Sequence, residues 1–236
     1  TAKATDVKLV GLACHIGSQI ADAVPFLDSV ARLRQVVQAL RDAGTELELL
    51  DIGGGLGIAY DDAEPIVDVG AFGKAVREAT EGLAKELYLE PGRYLVGNAG
   101  VLLTRVIGGK QGEERRFIIV DAAMNDLIRP ALYQAYHAVS KSPVPASGAQ
   151  VHTADVVGPV CECGDFLAEK RSIPSAERGD LMVVMSAGAY GMVMASTYNT
   201  RGLPAEVVVD GDRFAVVRPR QTVEDLIGLD QVPSWM

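Results

Sequence analysis

Short apolar runs alternate with amphipathic stretches through the N-terminal part of the chain. Each run has the length of a strand and is followed by a cluster of Gly, Ser, Asp or Pro. These runs cover residues 7–12, 47–52 and 87–90. Residues 26–40 repeat apolar side chains every three or four positions, with Pro25 near the start and Gly44 just after the end, and so predict a helix. A weaker helical pattern covers residues 69–83.

This order of elements predicts parallel strands, because each helix carries the chain back across one face of the sheet. Repeated strand–helix units build (β/α)8 barrels, in which the functional groups follow the strands. Three such units cannot close an eight-stranded barrel, so we expect residues 1–97 to be the C-terminal part of one. Thr1 begins the chain without a basic or apolar leader, and we expect it to mark a cut end rather than a natural start.

The pattern changes toward the C-terminus, where β-rich runs follow one another without long helices between most of them. They cover residues 117–120, 151–157, 181–185, 206–209 and 214–217. Asp210-Gly211 predicts a hairpin turn between the last two runs. The spacing of Thr222 and Asp225 predicts a short helix with a capping box. We therefore expect residues 98–236 to form a mainly antiparallel β domain.

Composition narrows the class of protein. Hydrophobic residues make up 48% and charged residues 22% of the chain, which excludes disorder, collagen and coiled coil. No apolar run approaches the roughly 18 residues that a membrane span needs. The net charge of -9 repels a phosphate backbone, so we expect no nucleic-acid partner. Three cysteines do not make a disulfide framework, and we expect a reducing, cytoplasmic setting.

Polar clusters follow each of the three predicted parallel strands. They contain His15 and Ser18 after the first strand, Gly53, Gly54 and Gly55 after the second, and Glu90 and Arg93 after the third. Each cluster alone has an ordinary explanation: a core histidine, a tight turn, or a surface ion pair. Because the carboxyl ends of parallel strands meet at one edge of a sheet, the three clusters together predict an anion site beside a carboxylate and an imidazole ring.

These clusters and several later segments resemble a known family. HIGSQI, DIGGGLGI and EPGRYLV are followed by IRPALY, GPVCECGD and GAYGMVMASTYN, and in this order they resemble the diaminopimelate decarboxylases. Those enzymes are pyridoxal-phosphate (PLP) decarboxylases that combine an alanine-racemase-like barrel with a C-terminal β domain. The resemblance extends from about Val7 to Ile227. It implies conversion of meso-2,6-diaminopimelate to L-lysine and CO2, the last step of lysine biosynthesis, with PLP as cofactor.

The resemblance implies cofactor contacts in the first three clusters. Glu90 matches the carboxylate that pairs with the pyridine nitrogen and keeps it protonated. His15 matches the residue that stacks on the ring, and we expect it to be a catalytic residue as well. Arg93 is implied to contact the phosphate or the substrate carboxylate. The groups that match phosphate contacts are Ser18, the backbone of Gly53, Gly54 and Gly55, Gly92, and Tyr190.

The later motifs are implied to select the substrate. Pro130 suits a helix start, which places Arg129 before the first turn and Tyr133 one turn further on. A guanidinium and a phenol suit a carboxylate, and diaminopimelate has a distal carboxylate that ornithine and lysine lack. Arg129 therefore favours diaminopimelate, although without the other motifs a surface-paired arginine at a helix start would be the better explanation. Arg93 and Tyr190 are also expected to contact substrate.

The GPVCECGD segment is implied to complete the active site of the neighbouring subunit in a homodimer. Cys161 suits the acid that protonates the carbanion left by CO2, and Glu162 suits the distal ammonium of the substrate. Cys163 stands where serine is common in the family and leaves a Cys-x-Cys metal or redox pair as an alternative. Two thiolates without a nearby His or further Cys make a poor zinc site, so we expect no metal. Cys14 is expected in a buried strand.

The lysine that would bind PLP covalently has no match in this chain. In the family it lies on an early barrel strand, well upstream of the position of His15. The lysines present are Lys3, Lys8, Lys74, Lys85, Lys110, Lys141 and Lys170. We therefore expect the Schiff-base lysine of the parent enzyme to lie outside this chain.

Three alternatives stay open. The parent enzyme could decarboxylate another basic amino acid, such as arginine, ornithine or carboxynorspermidine. The chain could also be a non-catalytic homologue that regulates a partner subunit, or an inert fragment with exposed barrel strand edges. The combination of Glu90, Arg129 and Cys161 argues against a pure binding module. His137 and His152 belong to no motif that we recognise.

Overall fold

The computed structural model describes residues 6–61, 63–144 and 150–236, so Lys3 lies outside the described residues. The chain divides into two compact units, and the boundary follows Asn98. Within the described residues, no helix is both long enough and apolar enough to cross a membrane.

The N-terminal unit alternates strands with helices. Its main elements are β1 (Gly11–Ala13), α1 (Val24–Asp42), β2 (Leu49–Asp51), α2 (Val69–Thr80), β3 (Glu86–Tyr88) and α3 (Gly92–Val96). β2 lies between β1 and β3, and both neighbours run parallel to it, with Leu12 opposite Leu50 and Leu50 opposite Leu87. The predicted arrangement of parallel strand–helix units is therefore confirmed.

The predicted helix over residues 26–40 is confirmed as α1, which extends two residues further at each end. Pro25 lies in its first turn, where a missing N–H costs nothing, and Gly44 follows its end with a φ of 80°. The apolar face of α1 packs against α2 over the sheet, and the rings of Phe26 and Phe72 meet edge to face with 5.0 Å between their centroids. This core covers one side of the sheet and leaves the loops after the strands to form the site.

Several predicted boundaries in this unit are wrong, including those of β2, which is Leu49–Asp51 rather than 47–52, and of β3, which is Glu86–Tyr88 rather than 87–90. β1 covers only Gly11–Ala13, because the earlier part of the apolar run 7–12 does not pair in the sheet as a strand. α2 ends at Thr80 rather than at residue 83, because Glu81 leaves the helical conformation and Gly82 takes a φ of 70°. The chain then turns into the core, where Leu83 is fully buried.

The C-terminal unit is built on a six-stranded sheet with the order β6-β9-β4-β5-β7-β8. The strands are β4 (Leu102–Gln111), β5 (Arg116–Val120), β6 (Val139–Ser142), β7 (Val151–Val157), β8 (Phe166–Pro174) and β9 (Leu181–Val184). Every neighbouring pair is antiparallel except β5 and β7. The expected mainly antiparallel sheet is therefore confirmed, with one parallel pair inside it.

The sequence pattern did not predict β4, β6 and β8. β4 contains Gly108 and Gly109, which weaken a strand pattern, and β8 is interrupted by the polar triplet Glu169, Lys170 and Arg171. Lys170 takes a φ of 50° where the pairing of β7 and β8 shifts register. The sheet accepts these residues because long-range pairing outweighs their local preferences.

The last two strands form the predicted hairpin, β10 (Glu206–Asp210) and β11 (Arg213–Arg218). Gly211 supplies the positive φ that the turn requires, at 62°. Helix α5 (Val223–Ile227) follows and starts with the predicted capping box. The N–H of Thr222 donates to Asp225 at 2.8 Å, and the N–H of Asp225 donates back to the Thr222 hydroxyl at 3.1 Å.

Candidate functional site

Glycines let the three loops after β1, β2 and β3 touch one another through their backbones. A Cβ on Gly54 would lie 2.1 Å from the carbonyl oxygen of Glu90, and one on Gly53 would lie 2.9 Å from the Cα of His15. Gly53 also has a φ of 74°, which favours glycine. The structure therefore brings the three sequence-predicted clusters of the N-terminal unit together.

His15 is exposed, and a backbone contact fixes its ring. The N–H of Gly54 donates to Nδ1 of His15 at 3.2 Å, so Nδ1 has no proton and the neutral ring carries its proton on Nε2. The same glycine loop also contacts Glu90, whose side chain is exposed and whose N–H donates to the carbonyl of Gly53 at 3.0 Å. An imidazole face and a carboxylate thus border the same loop.

Several predicted anion donors already have acceptors within the chain. The N–H of Gly53 donates to Oδ1 of Asp51 at 2.7 Å, that of Gly54 donates to His15, and that of Gly92 donates to the carbonyl of Glu90 at 2.8 Å. In this conformation an anion would meet side chains rather than these three N–H groups.

Arg93 links two of the loops and is half-buried. Its Nη2 donates to the hydroxyl of Ser18 at 3.1 Å, and its Nη1 donates to the hydroxyl of the buried Tyr60. A hydroxyl that accepts from a guanidinium keeps its own proton for an anion. Ser18 and Arg93 therefore form a donor pair suited to a phosphate or carboxylate. Tyr60 was not predicted, because it lies beyond the DIGGGLGI segment and in none of the quoted motifs.

Arg129 lies inside the C-terminal unit, with 7% of its surface exposed. It is the first residue of helix α4 (Arg129–Tyr133) rather than preceding it as predicted, because Ile128 is the N-cap and Pro130 fits the second position. Nη1 of Arg129 lies 2.8 Å from Nε2 of the buried His137. Burial contradicts the surface-paired explanation of Arg129. Tyr133 is 61% exposed at the other end of the same turn.

The loop that presents Cys161 is held at its base by Asp165, which is 5% exposed. Oδ1 of Asp165 accepts from the N–H of Met124 at 2.7 Å, and Oδ2 accepts from the N–H of Val160 at 2.6 Å. Cys161 itself is exposed. The loop is therefore fixed at its base by hydrogen bonds to Asp165, and the Cys161 thiol that it carries is accessible. Asp165 closes the quoted GPVCECGD segment, but its role could not be predicted from that segment alone.

Two further predicted site residues, Glu162 and Tyr190, are exposed, whereas Cys14 is half-buried. Glu162 accepts from the N–H of Gly164 at 3.2 Å and from the hydroxyl of Tyr198 at 3.4 Å. Tyr190 is 43% exposed and has a φ of 60°. Cys14, expected in a buried strand, instead follows β1 and is half-buried, with its Sγ 3.4 Å from the hydroxyl of Ser29.

Cys163 is exposed, like Cys161. In the described part of the chain, no three His, Cys, Asp or Glu side chains lie close enough together to hold a metal ion. The alternative of a Cys-x-Cys metal pair therefore gains no support from the surrounding residues.

Comparison with known proteins gives two family matches. The family described as the pyridoxal binding domain of pyridoxal-dependent decarboxylase matches residues 1–97. The family described as the C-terminal sheet domain of the same enzymes matches residues 58–188. The two domains are those of the predicted fold class, which is confirmed.

Individual relatives agree with these matches. Diaminopimelate decarboxylase from Zymomonas mobilis is 49% identical over 98% of this chain and 54% of its own length. The Pseudomonas fluorescens enzyme of the same name is 51% identical over 95% of this chain and 53% of its own length. Among solved structures, diaminopimelate decarboxylase from M. jannaschi has a TM-score of 0.90 at 35% identity, covering 96% of this chain and 52% of that one. Diaminopimelate decarboxylase from Helicobacter pylori complexed with L-lysine has a TM-score of 0.88 at 35% identity, and the match covers 97% of this chain and 56% of that one. The chain spans about half the length of the curated relatives it matches.

Proposed function

The chain belongs to the pyridoxal-dependent decarboxylases, and we propose that it is part of an enzyme that converts meso-2,6-diaminopimelate to L-lysine and CO2. Relatives that bear the name diaminopimelate decarboxylase, at 49% to 51% identity, support this substrate. The parent enzyme is a cytoplasmic carboxy-lyase of lysine biosynthesis, and its cofactor-binding lysine lies outside the present chain.

The loops of the N-terminal unit fit PLP as a ligand. Glu90 offers a carboxylate to the pyridine nitrogen, His15 offers its ring face, and Ser18 with Arg93 offers N–H and O–H donors to the phosphate. Gly55, whose φ is 101°, lets the loop approach closely. When bound, PLP supplies an electron sink that stabilises negative charge on the carbon that loses CO2. Glu90 strengthens that effect by holding a proton on the pyridine nitrogen.

The residues of the C-terminal unit act on the substrate. Arg129 binds the distal carboxylate, Glu162 binds the distal ammonium, and Tyr133 and Tyr190 add phenol contacts. Cys161 returns a proton to the carbon from which CO2 has left. We propose that this loop serves the site of the second subunit of a homodimer.

The burial of Arg129 is the observation that supports this proposal most directly. A guanidinium matches a carboxylate with paired N–H donors, and Arg129 holds one at 7% exposure in contact with His137, whereas ornithine and lysine offer no distal carboxylate. Decarboxylases of arginine, ornithine or carboxynorspermidine are therefore the weaker alternative.

The test is CO2 release by the purified holoenzyme with a panel of substrates. We expect kcat/KM for meso-diaminopimelate to exceed that for ornithine, lysine, arginine and carboxynorspermidine by about 100-fold or more, equivalent to about 2.7 kcal/mol. Comparable values for ornithine would overturn the substrate assignment. CO2 release from none of them, with PLP bound, would instead favour a regulatory homologue.

The shared site has its own test. Mixed dimers of Glu90→Ala and Cys161→Ala subunits restore one intact site each if the loop of one subunit serves the other. We expect co-expression to recover up to about a quarter of the wild-type kcat in a random mixture of subunits. No recovery would place Glu90 and Cys161 in the same site of one subunit.

A further inference from the structure

The protonation of His137 follows from its two hydrogen-bond partners. Its Nε2 lies 2.8 Å from Nη1 of Arg129, and its Nδ1 lies 2.8 Å from the carbonyl oxygen of Met185. A guanidinium has only N–H groups to donate, and a carbonyl oxygen only accepts. Nε2 must therefore accept from Arg129, and Nδ1 must carry the proton. His137 is the neutral Nδ1–H tautomer.

The sheet holds the far side of this imidazole. Met185 directly follows β9, and its own N–H donates to the carbonyl of Ala138 at 2.8 Å. β9 pairs with β6, where Val139 lies opposite Val184. Because the carbonyl of Met185 is fixed at the end of this ladder, the ring of His137 has a rigid support. His137 is 1% exposed.

We propose that His137 is a positioning residue for Arg129 and thereby sets the preference of the enzyme for a substrate with a distal carboxylate. This inference rests on the proposed function, which assigns that carboxylate to Arg129. A neutral imidazole orients the planar guanidinium through one N–H without itself adding negative charge beside it. An aspartate in the place of His137 would instead put a negative charge next to the guanidinium, and that charge would compete with the substrate carboxylate.

Two substitutions at residue 137 distinguish the hydrogen bond that the imidazole makes with Arg129 from the one that it makes with Met185. In His137→Gln, the side-chain carbonyl reaches the position of Nε2 and still accepts from Arg129. In His137→Asn, the shorter amide reaches only the position of Nδ1, so it keeps the donor to Met185 and loses the acceptor for Arg129. The matched control is His152→Asn in β7, a half-buried histidine outside the proposed site.

The experiment measures KM and kcat of each holoenzyme variant with meso-diaminopimelate. We expect His137→Asn to raise KM about tenfold or more while kcat changes less than about threefold. His137→Gln should bring KM back to within about threefold of wild type, and His152→Asn should leave it unchanged. Equal KM values for the Asn and Gln variants would overturn the positioning role.

Ligand binding provides a readout that does not depend on turnover. The carboxylate that remains in L-lysine is the one that was distal in diaminopimelate, and cadaverine lacks it. We expect His137→Asn to weaken the binding of L-lysine about tenfold, measured by calorimetry, and to leave the binding of cadaverine unchanged. Equal weakening of both ligands would mean that His137 acts on general structure and would overturn the inference.

The tautomer of His137 in the wild-type holoenzyme is tested by ¹⁵N NMR of histidine-labelled protein. We expect a protonated Nδ1 and an unprotonated Nε2, and any other state overturns the inference even if the variants fail to fold. The proposed function fails separately: wild-type enzyme that neither decarboxylates diaminopimelate nor binds L-lysine would refute it. Active wild-type enzyme with indistinguishable Asn and Gln variants would refute only the role of His137.

Discussion

Gly158 lies against the carboxylate of Asp165 so closely that no larger side chain fits there: a Cβ on Gly158 would lie 2.5 Å from Oδ2 and 2.6 Å from Oδ1. The same carboxylate accepts from the N–H groups of Met124 and Val160. The position of the Cys161 loop therefore depends on a glycine and a carboxylate that touch at its base.

We predict that Gly158→Ala lowers kcat by about tenfold, because the added methyl group displaces the Asp165 carboxylate and moves the thiol of Cys161 from its position. The matched control is Gly164→Ala in the same loop, where a Cβ meets no atom closer than 3.9 Å. The measurement is CO2 release by each variant holoenzyme at saturating substrate. Similar kcat values for the two variants would show that the contact does not position the loop.

Asp165→Asn tests the two hydrogen bonds themselves. An amide replaces one accepting oxygen with an N–H₂ group, so one buried backbone N–H loses its acceptor at a cost of about 1–3 kcal/mol. We expect a lower urea midpoint than that of wild type. The control is Asp212→Asn in the exposed turn of the β10–β11 hairpin, which should leave the midpoint unchanged. An unchanged midpoint in Asp165→Asn would contradict the proposed anchoring.

The elements that could be predicted from the sequence are those with an uninterrupted local pattern. β7 has the predicted boundaries, Val151–Val157, because no Gly, Pro or run of charged residues interrupts it, although it contains His152, Thr153 and Asp155. β4 was missed because Gly108 and Gly109 weaken its pattern, and β8 because of its charged centre. Partner strands stabilise both, and no local pattern encodes which strand will pair with which.

The site residues, like the strands, could be predicted only where a local motif marks them. Arg129 could be found from its motif, but His137 could not, because its second partner is a backbone carbonyl 48 residues away. Asp165 was missed for the same reason, since the N–H of Met124 that it binds lies 41 residues away. Side chains that bond to distant backbone groups leave no spacing that a sequence can reveal.

We predict that Gly54→Ala weakens PLP binding about tenfold or more. The methyl group would lie 2.1 Å from the carbonyl oxygen of Glu90 and must push the Glu90 loop away from the glycine loop, which also contacts His15. The control is Gly73→Ala in α2, where a Cβ meets nothing within 4 Å. The measurement is a PLP titration of apoenzyme prepared from each holoenzyme variant. Equal dissociation constants would refute the role of the loop contact.

Asp121 gives a prediction about acid stability. Partial desolvation of its carboxyl group raises the pKa, but the N–H of Arg105 and the hydroxyl of Thr104 outweigh that effect and hold the pKa below its ordinary value of 3.8. The unfolded chain then takes up this proton first as the pH falls, so the stabilisation is present above about pH 4 and is lost below it.

Asp121→Asn tests the direction of this pH dependence. A single amide oxygen can still accept from both donors, so only the charge is removed. We expect wild type to have the higher urea midpoint from pH 5 to 7 and the difference to shrink progressively as the pH falls below about 4. Asp121 is exposed, so solvent screening keeps the difference small. A difference that grew on acidification would contradict the lowered pKa.

Cys161 and Cys163 are exposed thiols two residues apart, and they allow a matched test of the proposed acid. Removing a general acid typically slows a reaction by about 100- to 10,000-fold, so we expect Cys161→Ala to lower kcat by that range. Cys163→Ser should keep kcat, because the motif permits serine there. PLP absorbance should be unchanged in both variants, since neither thiol is placed among the cofactor contacts. If Cys163→Ser lost activity as severely as Cys161→Ala, the two thiols would act together, and a metal or redox pair would replace the single proton donor.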